Sequence, residues 1–442
     1  MRHHIPHIAL ALFVSTATLV AQTDDPAVTS WRLNLDGTKG HSNNSAVHNV
    51  VSNIEADILR ERYTPAHVFV EAEGVPSHEV GPWPGNPNMI AARGWTWRIP
   101  RNPAPATLYN YETPLGQIGT MINGVPMYNT KDGRSYLFRG VWEQDAIWFE
   151  GATMDVGLGH PQNAGDYHYH SHPVKLAQQV GQNGVDHSPI LGFAFDGYPL
   201  YGPYGFSNPD GTGGVRRMES GYAHRNMTQR HTLPDGTQLS QYYWGPDVSA
   251  SYPLGCYIQD FEYIAGSGDL DEFNGRFCVT PEYPQGTFAY FATIDSSGQP
   301  QFPYLLGPTY YGIVDTANIV PGGGHIGVPN QATDWNPFSI YMNDVEAGGT
   351  ARIAIGNCGA GSDVFFAWSL KGAGPVNTPW GVGSLTPPIS NIGPFIASAS
   401  GFVSTTASVP TTLLGKTIYT QAVSTPPGAT SLLSSPSRVT VQ

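Results

Sequence analysis

The stretch GHPQNAGDYHYHSHP, residues 159–173, holds four of the chain's fifteen histidines within thirteen positions. Between residues 167 and 172, tyrosine or serine alternates with histidine, which is the period of an extended strand. Alternating side chains put His168, His170 and His172 on one face, and Tyr167, Tyr169 and Ser171 on the other. Neighbouring histidines on that face stand about 7 Å apart at Cα, at roughly 3.3 Å per residue. Two imidazoles at that spacing can converge on one ion. Pro173 ends the strand, so His168 and His170 form the primary pair, with His172 a rim group or an additional ligand.

His160, in the glycine-rich GLGHP loop, can fold back onto this strand, and His187 follows in GVDHSP. Neutral imidazole suits zinc, copper, iron and nickel. Without paired thiolates, the pattern points to Cu or Zn. Ligating histidines are usually oriented through their second ring nitrogen, for which Asp166, Asp186 and Asp196 are the nearby carboxylates. The competing reading is packing, with each ring bonded to its own backbone carbonyl.

The rest of the chain reads as mainly β. Its 52 glycines and 38 prolines favour strands and turns over long helices. Short β-branched or aromatic runs such as AHVFVEA, GWTWRIP and ILGFAFDGYPLYG end in Gly, Pro or Asn. One helical candidate, SAVHNVVSNIEADILRERY, places Val47, Val50, Val51, Ile54 and Ile58 near helical spacing, and a strand pair could equally hold part of it. The expected organisation is a signal peptide over residues 1–21, a lead-in over 22–59, a large β-rich domain over 60–313, a turn-rich linker over 314–337, and a small β-sandwich-like domain over 338–442. That last segment contains no histidine, which makes it a poor place for metal chemistry.

Arg2 and the thirteen-residue apolar run IALALFVSTATLV predict a secretory signal cleaved near Ala21. The run is short for a membrane span, and no later stretch approaches eighteen apolar residues, so no transmembrane segment is expected. The mature chain is expected to be secreted, periplasmic or at the cell surface. With 21 Lys plus Arg against 34 Asp plus Glu, the net charge of −13 argues against nucleic acid as a partner. In an oxidising compartment Cys256 and Cys278 are candidates for a disulfide, leaving Cys358 over.

The blocks GDYHYHSHP and HSPILGFAFDGYPLYGPYG resemble the YHYH domain family of exported proteins. The resemblance extends through PLGQIGTMINGVPMYN and GHPQNAG, then GDLDEFNGRF, TPEYPQGTFAYFAT and FPYLLGPTYYG, covering roughly residues 60–313. It identifies the domain without supplying a reaction. It also implies a second histidine–tyrosine strand after the EYP.GT block, where this chain has Ala289 and Phe291 instead, and cysteines where it has Phe273 and Pro308.

Other chemistry is thinner. The chain has no G-x-S-x-G, HExxH, P-loop or dinucleotide fingerprint. Asp196 reads as a turn cap or as a base facing His168. Asp269, Asp271, Glu272 and Asn274 read as a solvated turn better than as a calcium loop, with Arg276 a partner for Glu272. The leading expectation is a metal-binding exported protein. The alternatives are a non-enzymatic surface module recognising carbohydrate, protein or another cell-surface component through Tyr198, Tyr201 and Tyr204, and a metal-assisted hydrolase or oxidase. Whether the chain is an enzyme stays open at this point.

Overall fold

A computed structural model describes residues 24–319 and 323–442. The expected signal peptide lies outside the described residues. The chain is mainly β, as its composition implied. Among the described residues no helix is long and apolar enough to cross a membrane.

The helical candidate divides. Asn44 caps the helix Ser45–Val51 by accepting from the Val47 amide at 3.1 Å, and Val47 and Val51 turn inward. The chain then turns through Asp57 at φ 60° and continues as the strand Ile58–Tyr63. That strand lies in a four-stranded sheet, between Thr333–Asp334 and His67–Ala72, with Trp95–Pro100 outermost. Residues of the lead-in (Val28, Trp31, Val51) share one apolar cluster with Trp97, Phe193 and Phe291.

An eight-stranded sheet carries the histidine stretch. Its order is Gly275–Cys278, Thr287–Phe291, Pro199–Tyr201, Ile190–Ala194, Gln117–Met121, Pro126–Tyr128, Tyr167–Tyr169 and Gly159–Pro161. The sheet repeats itself. Its two inner hairpins, GTMINGVPMY (residues 119–128) and GFAFDGYPLY (residues 192–201), share one pattern. They pair antiparallel so that Met121 faces Gly192 and Gly119 faces Ala194, on either side of Thr120 and Phe193. Each hairpin turns at a glycine with positive φ, Gly124 at +80° and Gly197 at +88°, the conformation that Asn-Gly and Asp-Gly turns supply. Each is flanked by a parallel strand, Met127 opposite Tyr169 and Leu200 opposite Tyr290. Each parallel strand then pairs with an antiparallel edge, Tyr169 opposite Gly159 and Tyr290 opposite Gly275. The halves are therefore related by a pseudo-twofold axis. It equates His168 with Ala289, His170 with Phe291 and His160 with Arg276.

Residues beyond 338 build two larger antiparallel sheets and a small hairpin, Val376–Thr378 with Gly381–Gly383. Ser339–Asn343, Thr350–Gly356 and Phe402–Ser408 form one; the other is centred on Asp363–Ser369 and Thr417–Thr425. Both contribute to a separate apolar cluster that includes Ile340, Ile353, Phe366, Val403 and Ile418. Polar contacts reach back from it: Arg32 donates to Asn343, Arg352 to Asp36, and Thr440 to the Gln182 carbonyl.

The cysteine pairing is not found. Cys256, Cys278 and Cys358 are buried free thiols. Cys256 packs with Trp142 and Tyr257, whereas Cys278 belongs to the main core. Each is held by a different cluster, so spacing along the chain did not bring the thiols together.

Candidate metal centre

The site is built on the edge of the eight-stranded sheet. Gly159 is required there, because a Cβ would stand 2.4 Å from the Tyr167 ring. That close approach lets Gly159–Pro161 pair with Tyr167–Tyr169 and sets His160 directly opposite His168. The preceding loop is held by the buried Asp155 carboxylate. It accepts from the Gly81, Gly157 and Gly159 amides, the Trp83 indole and the Tyr167 hydroxyl. The tyrosines take the opposite face from the histidines, as alternation requires, and Tyr169 bonds His78 Nε2 at 2.6 Å.

Three imidazoles meet. One ring nitrogen from each of His160, His168 and His170 lies within 4.8 Å of the other two, and all three residues are buried. Their tautomers follow from their Nδ1 partners. His168 Nδ1 faces the Asp166 carbonyl at 2.9 Å and His170 Nδ1 the Asn129 carbonyl at 2.6 Å. A carbonyl only accepts, so each of these Nδ1 atoms carries the proton. His160 Nδ1 lies 2.8 Å from Thr153 Oγ, whose own proton goes to the Glu150 carbonyl at 2.7 Å, so Nδ1 donates here too. When the rings are neutral, all three Nε2 atoms therefore present lone pairs. His168 and His170 bring theirs to 3.0 Å, and His160 Nε2 is buried with no hydrogen-bond partner among the described residues.

Burial acts on the same rings. It pushes His160 down to about 4, helped by the neighbouring His170, and holds His168 well below the ordinary imidazole value. Tyr128 stacks on His168 with ring centroids 3.8 Å apart. Its hydroxyl reaches Asp166 and Gln162, while Arg93 pairs with the Asp166 carboxylate. A carboxylate that sequence reasoning missed, Glu150, closes one side. Its Oε2 lies 3.4 Å from His170 Nε2 and 3.6 Å from His160 Nε2. Glu150 ends the short helix Ala146–Glu150, capped by Asp145. No motif marks it.

The other expected residues lie elsewhere. His172 pairs with the Gln182 side chain at 3.1 Å. His187 gives Nδ1 to the Ser188 carbonyl and packs its ring on Tyr201 and Phe206. Asp166 serves the trio through its backbone carbonyl rather than its carboxylate. Asp186 is exposed and meets Asn183, Tyr419 and Arg438. Asp196 is a turn cap: its carboxylate accepts from the Tyr290 hydroxyl at 2.6 Å and from the Tyr198 and Gly312 amides. Tyr198 and Tyr201 are core residues, which removes two of the three rings expected as a stacking platform. Asp271 accepts from the Phe273 and Gly275 amides, and Asp269 pairs with Arg216, as in a structural turn. Arg276 donates to the Phe206 carbonyl and makes no ion pair with Glu272 among the described residues.

His172 yields a test of burial. Desolvation lowers it to about 4, against about 6.5 in an unfolded chain. A depressed folded value means that the neutral ring's contribution is present above pH 6.5 and lost as pH falls through 4. Between pH 7 and 3.5 the wild type should lose about 3 kcal/mol more unfolding free energy than His172→Gln, measured by urea titration. Parallel pH profiles would show that the ring is not held neutral.

The curated proteins contain no match to this chain, and the solved structures contain none either. The sequence model of the family described as YHYH protein matches residues 96–302, which include both hairpins of the repeated sheet, all three clustered histidines and Glu150. The match begins after and ends before the expected 60–313 boundaries, at the last strand of the four-stranded sheet and at Phe302. The chain thus carries a YHYH domain over residues 96–302.

Proposed function

We propose that this is an exported protein that binds one divalent transition-metal ion, copper or zinc, through His160, His168 and His170. The observation that carries the reading is the convergence of three Nε2 lone pairs in a buried site. Three carbonyl or hydroxyl groups hold these lone pairs inward, since each takes the Nδ1 proton. Lone pairs so placed repel one another unless a cation or a shared proton lies between them. Packing alone favours rings that each donate outward and fill space, as His187 does. Nitrogen donors with no thiolate among them suit copper and zinc, and every cysteine of the chain is remote from the trio in the fold or held in another cluster.

Elemental analysis of untagged protein, purified without chelator, tests this. About one equivalent of Cu or Zn per chain is expected, lost on dialysis against a strong chelator and regained on adding the metal. Protein that takes up no metal under titration would return the trio to a proton-sharing cluster.

A further inference from the structure

We infer that Glu150 is the fourth ligand of this centre, closing a shell of three imidazoles and one carboxylate; this rests on the metal reading above. Four ligand atoms at 2.0–2.1 Å from a tetrahedral ion stand about 3.4 Å from one another. Glu150 Oε2 already stands 3.4 Å from His170 Nε2 and 3.6 Å from His160 Nε2. Both separations are too long for good hydrogen bonds, and both match edges of that tetrahedron. The His168–His170 edge, at 3.0 Å, needs to open by only a few tenths of an ångström.

The surroundings hold the carboxylate beside the imidazoles. Thr153 ties the Glu150 backbone to His160, since its hydroxyl bonds both the Glu150 carbonyl and His160 Nδ1. The ligand and the imidazole are thereby held in one frame. The Glu150 side chain is 31% exposed, whereas those of His160 and His170 are 5% and 2% exposed. An ion therefore reaches the trio past Glu150, from the only one of these three groups that solvent touches substantially.

The test uses Co²⁺ as a spectroscopic probe and Zn²⁺ as competitor, with the full mature chain. Wild type should bind one Co²⁺ with the intense visible bands of a four-coordinate ion. Glu150→Gln should weaken Zn²⁺ at least tenfold and change the Co²⁺ bands. Glu150→Asp keeps the charge but draws the oxygen back by one methylene, and should also alter the bands. Unchanged affinity and spectrum in both variants would overturn the ligand assignment while leaving the three-histidine reading in place. So would a wild-type spectrum in Glu150→Asp beside weakened binding in Glu150→Gln, because charge alone would then explain the effect. Wild type that binds no Co²⁺ would instead remove the metal reading itself. Thermal melts of the metal-free variants, at a partly exposed side chain, check that each is folded.

Discussion

Replacing His168 and His170 together with alanine is expected to abolish stoichiometric Cu or Zn binding and leave a folded chain. Two of the three converging nitrogens disappear, and His160 with Glu150 cannot hold an ion against water. A ligand that binds only the folded state stabilises it by about 2.7 kcal/mol when present at 100 times its dissociation constant. The metal-dependent rise in unfolding free energy should therefore vanish in the double variant. The metal-free double variant will also be weaker than the wild type, because the Asp166 and Asn129 carbonyls lose their buried donors, at about 1–3 kcal/mol each. The decisive comparison is therefore the increment on adding metal, not the absolute stability. His172→Ala, which removes a buried histidine outside the trio, should keep that increment. A double variant that still binds one equivalent would place the metal elsewhere.

The largest expected loss of stability lies in the Arg230–Asp260 pair. Both side chains are completely buried. Arg230 donates through Nε at 2.7 Å and Nη2 at 2.6 Å to the two Asp260 oxygens, and its remaining donors go to the carbonyls of Pro246, Tyr252 and Pro253. Asp260 also accepts the Gly255 and Tyr257 amides. Asp260→Asn leaves a buried guanidinium uncompensated and should cost about 3–5 kcal/mol, read as a shift in the denaturant midpoint. Replacing both partners with apolar residues should cost less than this single change, because no charge is then stranded. A loss under about 1 kcal/mol in Asp260→Asn would mean that the pair is relaxed or hydrated. The effect should also reach the proposed metal site. The Cys256 carbonyl accepts the Asp145 amide at 3.1 Å, and Asp145 caps the helix that ends in Glu150. Weakened metal binding in Asp260→Asn would follow from that connection.

What was legible in the sequence was local. Alternation between residues 167 and 172 placed His168 and His170 on one face and the tyrosines on the other, because a strand has a period of two. The glycines around His160 allowed it to return, and Gly159 does so against the Tyr167 ring. The Asp-Gly turn identified Asp196 as a cap, since a short carboxylate bonds the amide two residues on. Periodicity left residues 45–63 open between a helix and, in part, a strand pair, because the apolar spacing suits a helix throughout. The strand Ile58–Tyr63 forms there because pairing with His67–Ala72 and Thr333–Asp334 outweighs local preference.

Tertiary structure alone decided the rest. His187 and His172 sit near the motif in the chain, yet strand order carries His187 to the opposite half of the repeated sheet, beside Tyr201 and Phe291. That half is the pseudo-symmetric counterpart of the histidine trio, with Arg276, Ala289 and Phe291 in the histidine positions. The correspondence becomes visible only once the registers of both hairpins are known. Glu150 and Asn129 reach the trio from other segments, and the thiols of Cys256 and Cys278 are kept apart by separate cores. Residue type and local period determine which face a side chain takes. Which distant groups meet on that face depends on sheet order and register, set by burial summed over the whole core.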